Sequence, residues 1–265
     1  MSGRTVVIIQ ARMGSTRLPG KVMARVEGQP LLWHVVERVQ HIVGIDGLIL
    51  ATTTDAEDGP LCDLASAWRI GLARGSAQDV LERYYRAACE ARAETVVRVT
   101  ADCPLFDPAI AGLVLARFRQ GDADYASNAH PPTYPDGLDV EVLSMETLAC
   151  AWREARLGSE REHVTPYVWK HPERFRLANV AHGQDLSELR WTVDEPRDLD
   201  FVRAVYARLE PREGHPAGLD EVLAVLDREP ALLAINRGIL RNEGYWRSVD
   251  ADACPASPIN AGAGR

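Results

Sequence analysis

The chain has 265 residues, 46% hydrophobic and 26% charged, with a net charge of -8 at pH 7, enough for one sizeable α/β domain. The acidic balance argues against a nucleic-acid partner, which would need a basic face, and no apolar run approaches the roughly 20 residues of a membrane span. Five scattered cysteines (Cys62, Cys89, Cys103, Cys150, Cys254) lack C-x-x-C spacing, and the first strand leaves no room for a signal peptide, so reduced thiols in a cytoplasmic protein are expected.

Along the chain, Val6-Val7-Ile8-Ile9 reads as a buried parallel strand and the apolar period of Leu31–Val43 as a helix. Strand and helix then alternate. Strands are expected at Gly47–Thr52, Ile70–Ala73, Thr95–Thr100 and Asp124–Ser127, with helices at Leu61–Trp68, Ala77–Arg92 and Pro108–Phe118. That alternation predicts a mostly parallel, doubly wound sheet. A proline-containing loop follows at Asn128–Asp139, then helical segments at Met145–Ala155 and Glu160–Trp169. Strand-like Phe175–Val180 and Leu189–Val193 precede helices at Pro196–Leu209, Gly218–Leu226 and Ala231–Ile239. Residues 249–265, rich in Ala, Gly, Pro and Ser, are expected to be disordered. The remainder, 1–248, reads as one domain with a small subregion inserted at about 128–182.

The chemistry concentrates between the first strand and the first helix. Gly14 and Gly20 would let backbone N–H groups approach an anion, and Arg12, Arg17 and Lys21 can neutralise phosphate oxygens. Five residues separate the two glycines, so this is not a P-loop, and no G-x-G-x-x-G supports a dinucleotide site. Lys21 is one of only two lysines among thirty basic residues, which suggests a need for a compact ammonium. Ligands of open α/β sheets lie at the carboxyl ends of strands. Asp102 and Asp194 each follow an expected strand and can hold Mg2+, whose shell nucleotide phosphates complete. The structural alternatives are a turn before Pro104 for Asp102 and an N-cap before Pro196 for Asp194. Asp122-Ala123-Asp124 has the D-x-D form of nucleotide-sugar glycosyltransferases, but it precedes its strand and reads better as a turn.

These residues resemble the cytidylyltransferase family of the CMP-3-deoxy-manno-octulosonate synthetase and acylneuraminate cytidylyltransferase type, particularly relatives of spore-coat polysaccharide biosynthesis protein F. The segments that carry the likeness are Ile9–Lys21, Arg74–Tyr84, Thr100–Leu105, Asp136–Glu141, Arg161–Tyr167, Thr192–Leu199 and Arg241–Tyr245.

The resemblance implies a Rossmann-like nucleotidyltransferase with an acceptor or dimerisation subregion. It implies that Arg12, Ser15 and Lys21 hold the triphosphate, with Ala11 and Gly14 also binding the nucleotide, and that Thr52 to Thr54, Gly75, Ser76 and Asp79 lie near base and ribose. It makes Arg12, Lys21 and Asp102 catalytic, Asp102 and Asp194 the magnesium ligands, and Asp139, Glu141, Arg161 and His163 the acceptor side. Cys103 and Gln10 depart from the Glu and Pro that many sugar-acid enzymes carry there. The expected reaction moves CMP from CTP to a nonulosonate-like sugar acid, or to a related phosphorylated or phosphonate acceptor, releasing pyrophosphate. A homodimer is expected. The alternatives are a nucleotide-sugar glycosyltransferase, a nucleotidyltransferase using another NTP, and a non-catalytic nucleotide-binding subunit.

Overall fold

The computed structural model describes residues 3–210 and 214–253. Strand β1 (Thr5–Gln10) enters the core at once: Val6, Val7, Ile8 and Ile9 are all fully buried. A hairpin of β2 (Arg25–Val26) and β3 (Gln29–Pro30) leads into helix α1 (Leu31–Val39). Next come β4 (Gly47–Thr53), α2 (Gly59–Ala67), β5 (Gly71–Gly75), α3 (Val80–Glu90), β6 (Thr95–Thr100), α4 (Pro108–Phe118) and β7 (Tyr125–Ser127). The remaining elements are β8 (Glu141–Ser144), α5 (Met145–Glu154), α6 (Gly158–His163), α7 (Pro166–Trp169), β9 (Leu177–Asn179), α8 (Pro196–Tyr206), α9 (Leu219–Arg228) and α10 (Glu243–Ala253).

The described residues form a seven-stranded sheet of order β5-β4-β1-β6-β8-β7-β9, parallel except for both pairings of β8. Alternation along β1 separates two cores, as a pleated strand buried on both faces requires. Val7 and Ile9 pack with α1, α4 and α8, whereas Val6 and Ile8 pack with α3, α5 and α7. The chain leaves β1 towards β4 and returns past it to β6, so the strand order reverses between β1 and β6. The loops after these two strands therefore meet at a switch point, where such sheets bind ligands.

Local chemistry sets the helix starts. Asp107 caps α4 on Ala109 N at 2.8 Å with Pro108 in the first turn, and Ser144 caps α5 on Thr147 N at 3.0 Å.

Four expectations change. Leu189–Val193 is not a strand of the sheet: only Arg190 makes a bridge, to Asp136, and Val193 N donates to Asp102 O at 2.8 Å. The expected Glu160–Trp169 helix is two helices, because Val164 sits at φ 74° and Pro166 cannot donate. Ala231–Ile239 is reduced to a 3-10 turn over Pro230–Ala234. The segment expected to be disordered from 249 onward is helical to Ala253, where Asp252 accepts from Ser159 N at 3.1 Å; residues 254–265 lie outside the described residues.

Candidate active site

The loop after β1 folds on itself. Ser15 N and Gly20 N both donate to Met13 O, at 2.8 and 3.0 Å. Gly20, at φ 68°, turns the chain into the 3-10 turn that begins with Lys21. The loop is tied to β4 by Asp58, a fully buried residue to which the sequence reading assigned no role. Its Oδ1 accepts from Met13 N at 2.7 Å, and its Oδ2 accepts from Thr53 N and from the hydroxyls of Thr52 and Thr53 at 2.6 to 3.0 Å. Burial opposes ionisation of Asp58, yet these hydrogen bonds outweigh it and lower its pKa. Thr52 and Thr53, expected near the base, are thus turned inward, almost wholly buried, to hold this carboxylate.

Lys21 reaches across the switch point. Its Nζ lies 2.8 Å from Asp102 Oδ2, 2.8 Å from Asp194 Oδ1 and 2.9 Å from Val193 O. Burial disfavours the ammonium, but the two carboxylates outweigh it and raise its pKa. In return, Lys21 overcomes the burial of Asp102 and brings that carboxyl down to about 2.

The N-cap alternative for Asp194 fails. Glu195 is the cap residue of α8, and Asp198 Oδ2 accepts from both Asp194 N and Glu195 N at 3.0 Å. The Asp194 carboxylate is left facing Lys21, Arg17 at 3.0 Å and Arg190 at 3.0 Å.

Gly137 supports this segment from behind. At φ 109°, a Cβ there would come 2.6 Å from Thr192 N and 2.7 Å from Trp191 C. Only glycine lets the 136–139 turn press so closely on the backbone that carries Asp194.

These groups line a cavity of about 340 Å3 whose walls include Arg12, Ser15, Arg17, Lys21, Asp102 and Asp194. A larger hollow of about 1000 Å3 lies beside residues 230–241 and contains no residue of the phosphate loop. The phosphate loop and both aspartates thus line the smaller cavity.

Ala11 and His163 line it too, whereas Gly14, Gly75, Ser76, Asp79, Asp139, Glu141 and Arg161 do not. Asp79 caps α3 on Glu82 N at 2.9 Å and pairs with Arg161. Ser76 Oγ accepts from Asp79 N at 3.1 Å. Glu141 is buried between Arg98, Thr165 and Tyr125, whose hydroxyl donates at 2.6 Å; these partners spend it on the fold. Asp139 pairs with Arg241. Burial lowers the His163 pKa to about 4, which favours the neutral imidazole at pH 7. The D-x-D aspartates are also occupied, Asp122 by Arg117 and Asp124 by Arg176.

Arg83 is a wall residue outside the sequence-based assignments. It is almost wholly buried, donates to Ser76 O and keeps an Nε without a partner among the described residues. Its signal in the sequence was present, an arginine at helical spacing behind the Gly75-Ser76 turn, but amphipathic helices carry such arginines routinely. Helix α10 closes the cavity with Gly244, Arg247 and Ser248.

Two carboxylates that share one cation face a common point. Among the described residues no third His, Cys or acidic group joins them in a metal-binding cluster. That donor set fits a magnesium ion shared with a triphosphate, since Mg2+ commonly takes one or two protein carboxylates and substrate phosphates.

The sequence profile described as cytidylyltransferase matches residues 6–209. The chain belongs to the cytidylyltransferase family. It is accordingly a CTP-dependent nucleotidyltransferase. Spore coat polysaccharide biosynthesis protein SpsF of Bacillus subtilis is 32% identical to it over 84% of this chain and 94% of its own. A 3-deoxy-manno-octulosonate cytidylyltransferase of Anaeromyxobacter is 37% identical over 79% of this chain and 99% of its own. The structure of a cytidylyltransferase from Leptospira borgpetersenii superposes with a TM-score of 0.84 at 29% identity, covering 90% of this chain and all of that one. In this cytidylyltransferase no helix among the described residues is long and apolar enough to cross a membrane.

Proposed function

We propose that this cytidylyltransferase transfers CMP from CTP to a sugar acid of the nonulosonate kind, or a related phosphorylated or phosphonate acceptor, releasing pyrophosphate. The observation that carries the reading is the convergence of Lys21, Asp102 and Asp194 on one cavity wall beside the phosphate loop.

An acceptor oxygen attacks the α-phosphorus of CTP, the new O–P bond forms, and the bond to the bridging oxygen breaks as pyrophosphate leaves. Little covalent chemistry falls to the protein, so positioning and charge neutralisation carry the catalysis. Arg12, Arg17 and Lys21 offset the charge that builds on the leaving group, and Arg83 supplies a further buried cation. Asp102 and Asp194 would hold Mg2+, which supplies charge neutralisation at the phosphates. His163, neutral on the cavity wall, is suited to hydrogen-bond an acceptor hydroxyl.

The subregion 128–182, within a single domain over 1–248, would form the rest of the acceptor side and part of a dimer contact. The likeness to a spore-coat polysaccharide protein and to an octulosonate enzyme supports work in surface-polysaccharide biosynthesis; a cytoplasmic homodimer is part of the same proposal.

Thermal unfolding with Mg2+ and each of CTP, UTP, GTP and ATP tests the donor. A ligand at 100 times its dissociation constant adds about 2.7 kcal/mol, a visible shift in midpoint. Selective stabilisation by CTP is expected, followed by pyrophosphate release when sugar acids, sugar phosphates and phosphonates are screened. Selectivity for another nucleotide, or no response to any, overturns the assignment.

A further inference from the structure

Helix α10 lies beyond the region that the family profile covers, yet it forms one wall of the phosphate cavity. It is firmly docked. Tyr245 is buried beside Trp169, Ser248 Oγ donates to Glu162 at 2.6 Å and faces His163 Nε2 at 3.2 Å, and Asp252 accepts from Ser159 N.

Its first turn brings a carboxylate between two guanidinium groups. Glu243 Oε2 accepts from Arg17 Nη1 at 3.0 Å, and Glu243 Oε1 accepts from Arg247 Nη2 at 2.6 Å. Gly244 follows directly, and a Cβ there would lie 3.8 Å from Arg17 Nη2, so the helix start sits within van der Waals reach of the loop. Arg17 is thereby shared between Asp194 and Glu243. The pattern is one of masking: cations aimed at the cavity are held by carboxylates that a more highly charged anion would replace.

We propose that Arg17 and Arg247 form a clamp for the outer phosphates of the nucleotide, with Glu243 holding the pair in place until the anion arrives. This rests on the nucleotidyltransferase reading and adds to it a positioning role for α10. The Arg247 side chain is 60% exposed and already lines the cavity.

Isothermal titration with inorganic tripolyphosphate, and separately with CMP, tests the clamp without reference to nucleobase or acceptor. Arg247→Gln should weaken tripolyphosphate binding about tenfold, Arg247→Lys should recover part of it, and CMP binding should be unmoved. Glu243→Gln should tighten tripolyphosphate binding about threefold, because the competing carboxylate is gone. A residue that merely anchored the helix would give the opposite sign. Wild-type binding that Arg247→Gln leaves unchanged, or a Glu243→Gln variant that binds more weakly, overturns the clamp while the transferase reading stands. Wild-type protein that binds neither tripolyphosphate nor CTP overturns both.

Discussion

Lys21 Nζ lies 2.8 Å from Asp102 Oδ2, although 81 positions separate the two residues in the chain, and Asp194 meets the same ammonium from the other side. The lysine keeps two mostly buried carboxylates from repelling each other. In Lys21→Met that balance is lost, and urea unfolding in EDTA should show a loss of about 2 kcal/mol. Mg2+ should restore more stability to the variant than it adds to wild type, while turnover stays at least ~100-fold down. An equal response of both proteins to Mg2+ would count against a cation shared by the two aspartates.

Asp58→Ala strips the acceptor from two backbone N–H groups and two hydroxyls, and should cost about 3 to 4 kcal/mol with weaker nucleotide binding. The sign with pH follows from the lowered pKa of Asp58. Its stabilisation is complete above the ordinary carboxylate range and disappears as pH falls through the lower folded value. Asp58→Asn should therefore flatten the acid limb of stability against pH below about 4. An unchanged acid limb rules out this anchor.

His163 works in the other pH region. Its folded pKa of about 4 lies below the ordinary histidine value, so the unfolded chain takes up the proton first as pH drops. The contribution is intact above about 6.5 and lost on the way down to about 4. Between pH 7.5 and pH 5, wild type should lose about 2 kcal/mol more than His163→Gln. Parallel curves for the two proteins would show that His163 titrates normally.

Gly137→Ala should be among the most damaging single-methyl changes in the protein. The new Cβ meets backbone on both sides of the Trp191–Thr192 peptide, at a positive φ. A loss of about 3 kcal/mol or more is expected, with metal-dependent turnover falling further as Asp194 is displaced. A near-neutral effect on unfolding would mean that the 136–139 turn moves freely.

Strands β1, β4 and β6 were legible because they are short, largely apolar or β-branched runs with helices of clear period between them. Asp102 and Asp194 were legible for a different reason: each follows a segment that runs to the switch point. Leu189–Val193 looked like a strand from its residues, but its backbone donors serve the 136 and 102 loops, which only tertiary structure decides. Strand β8 was hidden by Glu141, a charge that enters the core only because Arg98 is waiting there. Asp58 escaped notice because nothing near it in sequence marks an anchor; its partner Met13 is 45 residues away. Helix α10 was missed where composition argued for disorder, since its stability comes from docking on α6 more than from propensity.

The contact between Arg17 and Glu243 spans 226 positions of the chain. During synthesis the phosphate loop leaves the ribosome long before α10 does. Arg17 therefore has no Glu243 partner until almost the whole domain has been made. A chain cut short before residue 243 would lack that carboxylate, together with the wall that α10 gives the cavity.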